Sequence, residues 1–486
     1  MSPSSSPNAS NALLWLVAIG FFMQSLDGTI VNTALPSMAR SLGESPLHMQ
    51  AVVVAYALTM AAVIPASGWL ADRFGTRRVF LWAIVVFTVG SAACAASPTL
   101  QWLVAARVAQ GLGGALLLPV GRLAVLRAFP REQFLQAMSF VAVPGLIGPL
   151  LGPALGGWLV EAASWHWVFL INLPVGLAGA LATLRYMPQD DAQQQQQPGR
   201  FDLGGFVMLV TAMLSISLAL DGLGGLGLGH ALVALLLVLG LSMLTAYWLH
   251  ALKAPQPLFA PRLFGIQSFR VGLLGNLFAR IGSGAMPYLI PLLMQLSMGY
   301  SPAQAGMLML PMAAAGIAAK RFAAPAIERL GYRRVLIANT ALLGGMIASF
   351  ALMTPGQPLA LRIAQMAIFG AINSLQMTAM NTVTLKDLDS AGASGGNSML
   401  SMVQMLGMSL GVSVAAAMLT TFANWFGAGA TAAASGGPDA LSAFRAALLV
   451  IGALTIASAS IFWQLAPESL RPQERRVRRA ESSPLD

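Results

Sequence analysis

Charge is what this chain has little of. Of its 486 residues only 9% are Asp, Glu, Lys or Arg, while 57% are hydrophobic; soluble domains carry about 25% charged residues. A surface so poor in charge aggregates in water, which excludes the string of soluble domains that the length would otherwise suggest. Disorder is excluded too, because it needs low hydrophobicity. The single cysteine, Cys94, excludes a disulfide scaffold. It stands in an apolar run and reads as a small packing residue. The four histidines, His48, His166, His230 and His250, fall at the ends of apolar segments and suggest no metal site. No nucleophile triad, phosphate loop or zinc spacing points to an enzyme or to a bound cofactor. What remains is an all-α polytopic membrane protein.

Long apolar runs are what the chain has instead. A spanning helix needs about 20 mostly apolar residues. Fourteen such stretches can be read, near 12–36, 48–71, 79–97, 100–123, 137–159, 166–187, 203–222, 230–250, 270–297, 304–326, 335–354, 359–383, 398–423 and 444–466. They are rich in Gly, Ala, Ser and Met, which suits close helix packing. The alternating segments of about 10 residues that an outer-membrane barrel requires are absent. Met1–Asn11 has no basic residue before its apolar run, and that run continues to Pro36, so it reads as a retained first helix.

The 27 Lys and Arg give an orientation. With the N-terminus in the cytoplasm, only Arg40 falls in an outer loop. Arg362 and Arg445 lie at outer helix starts, and Arg107 and Arg280 lie inside segments. The others crowd the inner side, as the positive-inside rule demands. Both termini are then cytoplasmic. The net charge of +10 reflects this topology rather than nucleic-acid binding. The arginines of the tail, Arg475–Arg479, read as solvated, with contact to anionic lipid as the alternative.

An internal repeat divides the chain. Asp72-Arg73-Phe74-Gly75-Thr76-Arg77-Arg78-Val79 follows the second segment, and Glu328-Arg329-Leu330-Gly331-Tyr332-Arg333-Arg334-Val335 follows the tenth. Equivalent loops in the same orientation imply two parallel six-helix halves, with an extra helix pair between them. The expected units are 1–187, a half of six helices; 188–202, a cytoplasmic linker containing the run Gln193–Gln197; 203–250, the inserted pair; 251–466, the second half; and 467–486, a basic tail.

Polar residues inside apolar segments are the functional candidates. Asp27 precedes Pro36 by about 9 residues, which places it about 13 Å below the outer end of the first helix. It reads as the one deep carboxylate, with Glu161 and Asp221 borderline near outer ends. Taking an acid out of water disfavours its charged form, so this depth suits loading and release of a proton. In the fourth segment Arg107, Gln110, Gly111 and Gly114 share one helical face. Arg107 lies about 10 Å inside the outer end, which matches Asp27. Pairing with Asp27 is the expectation; bonding to backbone carbonyls alone is the alternative. Gly148, Gly152 and Gly156 recur every four residues, a flat seam for another helix. Gly157 extends this run, and Pro149 and Pro153 each remove a backbone donor and favour a kink. Arg280 lies near mid-membrane, and Gln365, Asn373 and Gln376 fall within about an 80° arc of one helix. With Gln24, Asn32 and Gln110 they are candidates for a substrate cavity, although buried amides also glue helices together.

Several of these runs resemble known signatures. Gly68-Trp69-Leu70-Ala71-Asp72-Arg73-Phe74-Gly75-Thr76-Arg77-Arg78 resembles the major facilitator loop between helices two and three. That resemblance implies a conformational gate made by Gly68, Asp72, Arg73, Gly75, Arg77 and Arg78; topogenic charge alone is the simpler reading. Leu26–Pro36, Leu103–Gly114 and Gly148–Gly157 resemble the first-, fourth- and fifth-helix signatures of the fourteen-helix drug:proton antiporter family. The last of these implies export rather than uptake. The runs Ser41–Met49, Ser164–Gly176, Ala219–Gly222, Arg280–Gly284, Met380–Leu388 and Gly396–Met402 are similar to one branch of that family. The resemblance implies a major facilitator fold of fourteen helices in a bacterial inner membrane. It implies a monomeric exporter of small molecules, driven by protons and surrounded by lipid. His166 stands where many members have Arg, and the second half lacks the further deep acids of some relatives. Arg107 and Arg280 against one deep acid leave organic anions or metal chelates as alternative substrates; a membrane sensor is a third reading.

Overall fold

A computed structural model describes residues 7–129, 131–188, 200–224, 229–426 and 438–466. The linker run Gln193–Gln197 and the tail arginines Arg475–Arg479 lie outside these residues. Every regular element among them is helical. A bilayer offers the backbone no hydrogen-bond partner, so an apolar chain there must satisfy its own amides, and a helix does this within one segment.

The helices are α1 Pro7–Ile30, α2 Leu35–Leu42, α3 Gln50–Val63, α4 Ser67–Phe74, α5 Thr76–Ala95, α6 Leu100–Ala128, α7 Arg131–Ala162, α8 Trp167–Leu170, α9 Asn172–Tyr186, α10 Leu203–Gly224, α11 His230–Lys253, α12 Gln267–Leu292, α13 Pro302–Ser349, α14 Leu359–Leu385, α15 Ser390–Trp425 and α16 Pro438–Ser458. Local sequence explains several starts. Thr99 accepts a hydrogen bond from the Trp102 N–H ahead of α6. Ser301 and Gln304 form a reciprocal capping box at α13. Asp389 accepts from the Gly392 N–H at α15.

Among the described residues, 12 helical stretches are long and apolar enough to cross a membrane. That differs from the fourteen expected, for two physical reasons. The stretch Pro302–Leu352 covers two expected segments, two helices that meet at a kink. The kink falls in the run Glu328–Val335, expected to be a loop, at Gly331 with non-helical φ 77°, ψ 156°. α14 is long enough but falls outside the apolar set; Arg362, Gln365, Asn373 and Gln376 dilute its hydrophobicity.

The repeat carries through to the backbone. Gly75, between α4 and α5, has φ 91° and ψ 143°, nearly the conformation of Gly331. Only glycine adopts this region without strain, so the glycine of each copy is the residue that breaks the helix.

Between the two expected halves, contacts are made by α7 against α13 and by α3 against α15. The inserted helix α10 packs on α15, α3 and α11. α11 is the outermost, with 17% of its apolar window buried against 67% for the stretch containing α3. Its Leu235, Val238, Leu241 and Leu252 face outward, as lipid contact allows.

The cores are arranged asymmetrically. At the end of the bundle reached by the last turns of α1, one apolar cluster joins both halves. It includes Ile30, Leu35, Met49 and Phe169 from the first, and Tyr288, Leu292, Leu308 and Phe350 from the second. At the other end, near the two described termini, the buried cores are smaller, and one of them joins Leu58 and Ala61 of α3 to Phe269, Leu273 and Met399. Leu13, Val17, Phe80 and Val120 belong to a second, and Val271, Leu336, Val383 and Phe462 to a third.

Candidate functional site

The sequence expectation of an Asp27–Arg107 pair is realised directly. The Arg107 Nη1 donates to Asp27 Oδ2 at 2.6 Å, joining α6 to α1, and both side chains are buried to within 1% of fully. Each oxygen of the carboxylate is used: Asp27 Oδ1 accepts from Gln110 Nε2 at 2.8 Å and from Asn172 Nδ2 at 3.1 Å. Arg107 also donates from Nη1 to Gln110 Oε1 at 2.6 Å and from Nε to the Val52 carbonyl at 3.1 Å. Its guanidinium carbon lies 4.1 Å from the centre of the Tyr56 ring and 5.8 Å from that of Phe169. Arg107 therefore pairs with Asp27 and bonds a backbone carbonyl besides, so the alternative of carbonyls alone does not hold. A buried ion pair is tolerable only when its remaining donors and acceptors are satisfied, and this one is held by α1, α3, α6 and α9.

Reading the sequence did not find all of this site. Asn172 and Ser91 were missed. Ser91 on α5 accepts from Gln110 Nε2 at 2.7 Å and from Asn172 Nδ2 at 3.3 Å. Asn172 stood in the Ser164–Gly176 run as an amide within an apolar segment, so a signal existed. A serine in such a helix usually bonds its own backbone, so Ser91 gave none. Gln110, expected to line a cavity, is wholly buried within this network. Cys94, read as packing, is buried with its Sγ 3.6 Å from Gln110 Oε1.

The glycine seam meets α1, the helix that carries Asp27. A methyl group on Gly148 would overlap Ser25, on Gly152 Thr29, and on Gly156 the Ile30 carbonyl and Thr33. Gly157 points elsewhere and abuts the Pro302 carbonyl at the start of α13, while Gly306 of α13 abuts Pro153. Thr33 Oγ1 donates to the Pro153 carbonyl at 3.2 Å. With Pro144, Pro149 and Pro153 inside it, α7 lies between α1 and the second half.

In the expected gate, Asp72 pairs with none of its neighbouring arginines. It accepts from Arg127 Nη2 at 2.6 Å, across to the end of α6. Arg127 also donates to Thr76 Oγ1, and Arg77 donates to the Leu184 carbonyl. Arg73 and Arg78 are exposed. Gly68 has no atom near its would-be Cβ, so no other helix approaches closely there.

The remaining candidates divide. Gln376 is fully buried between α14 and α13: its Oε1 accepts from Asn339 at 2.9 Å and its Nε2 donates to Thr340 at 2.6 Å. Gln365 donates to Ser349 Oγ at 2.9 Å. These two amides join helices. Asn32 is buried, donates to the Thr29 carbonyl, and leaves Oδ1 without a partner. Gln24 Oε1, Asn373 Oδ1 and Arg280 Nε likewise have none, although all three residues are only half-buried. The borderline acids separate too. Glu161 is exposed, but Asp221 is 8% exposed inside α10, so Asp27 is not the one buried carboxylate of the apolar segments.

A helical bundle with a buried acid–arginine pair among its first helices defines a membrane carrier. Residues 17–412 match the Major Facilitator Superfamily, and the chain belongs to that family, a multi-pass transporter rather than an enzyme. Among its relatives are MdtD proteins, which carry a multidrug-resistance name. That of Serratia proteamaculans (strain 568) is 53% identical over 411 residues, covering 85% of each chain. That of Escherichia coli (strain SMS-3-5 / SECEC) is 50% identical over 418 residues, 86% of this chain and 88% of its own. Among solved structures, the POT family transporter PepTSo aligns with a TM-score of 0.69 over 94% of this chain and 97% of its own. At 16% identity that likeness concerns the fold.

Proposed function

We propose that the chain is a proton-coupled exporter of small organic molecules, with Asp27 as the proton carrier and Arg107 as its partner. The observation that carries this reading is the buried pair itself. An ionised carboxylate at that depth is compensated by one cation and two amides. Protonating it removes the charge that Arg107 holds. Arg107 keeps the Val52 carbonyl and the Tyr56 ring, so the release falls on α1. α1 is keyed to α7 through Gly148, Gly152 and Gly156, and α7 to α13 through Gly157 and Gly306. A proton arriving at Asp27 thus has a packed route to the interface between the halves, and two packed arrangements of such an interface make a switch.

The apolar cluster shared by both halves seals the end away from the termini. With the termini in the cytoplasm, as the basic residues favour, that sealed end faces outward. We read fourteen crossings, taking α13 as two spans broken at Gly331 and α14 as a further one. The two halves, 1–187 and 251–466, flank the linker 188–202 and the pair 203–250, and the basic tail 467–486 follows. Bacterial relatives favour an inner membrane, and their multidrug names favour drug-like substrates over organic anions or metal chelates. In this reading the carrier acts as a monomer in lipid, with the proton gradient in place of any cofactor.

The test is flux in proteoliposomes. A panel of drug-like compounds is loaded and an inwardly directed proton gradient imposed in the export sense. Export by the wild type with accompanying proton movement is expected. Gradient-driven flux that persists unchanged in Asp27→Asn overturns the assignment of Asp27.

A further inference from the structure

A second buried acid lies in the helix pair that stands outside the two six-helix halves. Asp221, near the far end of α10, is 8% exposed, and its Oδ1 has no hydrogen-bond partner. Ser413 of α15 stands beside this carboxylate, and Tyr288 of α12 is within its electrostatic reach. Both are wholly buried; the Tyr288 hydroxyl has no partner, and Ser413 has none other than this carboxylate. One helical turn along, Ser217 of α10 and Ser409 of α15 repeat the arrangement: each is wholly buried with an unpartnered hydroxyl. Side chains four apart share a helix face, and α10 packs on α15. A row of polar groups therefore runs between two helices in otherwise apolar surroundings.

No charge compensates Asp221. Among the described residues it enters no ion pair. α15 carries no titratable side chain over Ser390–Trp425. On α3, Tyr56 is engaged with Asp27 and Arg107. On α11, His230 is exposed, Tyr247 is bonded to the Phe259 backbone, and His250 is paired with Asp202. On α12, Arg280 lies about 12 Å along the helix from Tyr288 and enters no ion pair among the described residues; Tyr288 is the titratable group nearer to Asp221, and a tyrosine brings no positive charge. An isolated buried carboxylate is far too costly to keep ionised, whereas a carboxylic acid gains a donor that a serine or tyrosine oxygen can accept.

We propose that Asp221 is a second proton-binding site of this transporter. It carries a proton in the present conformation and is served through the polar row formed by Ser217, Ser409, Ser413 and Tyr288. The step is a simple protonation of one carboxylate oxygen, the proton coming from water. The site joins the inserted helix α10 to α12 and α15 of the second half, the opposite side of the interface from Asp27. It rests on the membrane reading above, but not on the role given there to Asp27.

Infrared difference spectroscopy tests it on the full chain reconstituted in lipid, without any substrate. A protonated carboxyl group gives a C=O stretch, shifted in deuterated water, that ionised carboxylates lack. The wild type should show such a band at neutral pH, Asp27→Asn should retain it, and Asp221→Asn should lose it. Ser413→Ala should shift its frequency, because the neighbouring hydroxyl is gone; this variant decides the question if Asp221→Asn does not fold. A band retained in Asp221→Asn, or its absence from the wild type, overturns the proposal. Failure of Asp27→Asn to abolish gradient-driven flux would overturn the coupling scheme and leave this band untouched, so the two failures are distinguishable.

Discussion

Arg107 reaches Asp27 from the middle of another helix and closes on it at 2.6 Å, with both side chains shut off from solvent. Removing either partner leaves the other buried without compensation. Arg107→Leu should therefore destabilise the folded protein by about 3–5 kcal/mol. Adding Asp27→Asn to it should recover much of that loss, because no bare carboxylate remains. Thermal unfolding in detergent of the two single variants and the double variant checks this, and equal losses that simply add would contradict it. Arg107→Lys keeps the charge but loses the planar fork that serves Asp27, Gln110 and Val52 together, so transport should fall there too.

The α1–α7 seam makes a separate prediction. Gly152 has no room for a methyl group beside Thr29, whereas Gly345 of α13 has nothing near its would-be Cβ. Gly152→Ala should cost about 1–3 kcal/mol by overpacking and impair transport. Gly345→Ala should be neutral or stabilising by up to about 1 kcal/mol, from helix propensity. Comparable unfolding temperatures for the two variants would show that the seam is not tightly packed.

At the gate, Asp72 and Arg127 are 45% and 39% exposed. A pair so wet contributes about 0–1 kcal/mol, so Asp72→Asn should fold and insert normally. What should change is the balance between inward and outward states, since the bond ties α4 to α6. Spin-label distances across that face report the balance. Unchanged distances would reduce Asp72 to a topogenic charge.

Asp202, just before α10, is the group for which a pH effect can be signed. Burial opposes its charge, but the Gly205 N–H, the His250 ring and the Leu258 N–H outweigh that and hold the carboxyl below its ordinary 3.8. A depressed folded value means stability that is fully present above the unfolded pKa and is lost as pH falls through the folded one. The wild type should thus lose thermal stability as pH drops below about 4. Asp202→Asn should start lower at neutral pH and decline less over that window. Parallel curves would refute the role of these bonds.

Topology is open to direct measurement. Reporter fusions at Gln195 and after Pro467 should signal cytoplasm, and one at Gly436 periplasm. A periplasmic C-terminus would overturn the fourteen-crossing reading.

Much was legible in the chain itself, for a physical reason. In a bilayer each segment must be apolar over its own length and must satisfy its own backbone, so spans, helical class and the glycine breaks of the repeat are local properties. The depth of Asp27 and Arg107 could be counted along two helices, and their partnership followed because neither charge tolerates isolation. What the sequence did not contain was rotation and neighbourhood. It could not say that Gln110 and Asn172 share one carboxylate oxygen with Ser91 behind them, or that Asp72 passes over its adjacent arginines to reach Arg127. Nor could it say that Gln376 is spent between α13 and α14 while Asp221 is buried against α15. Each of these depends on which face of a helix meets which neighbour, and that is settled only when all the helices pack at once.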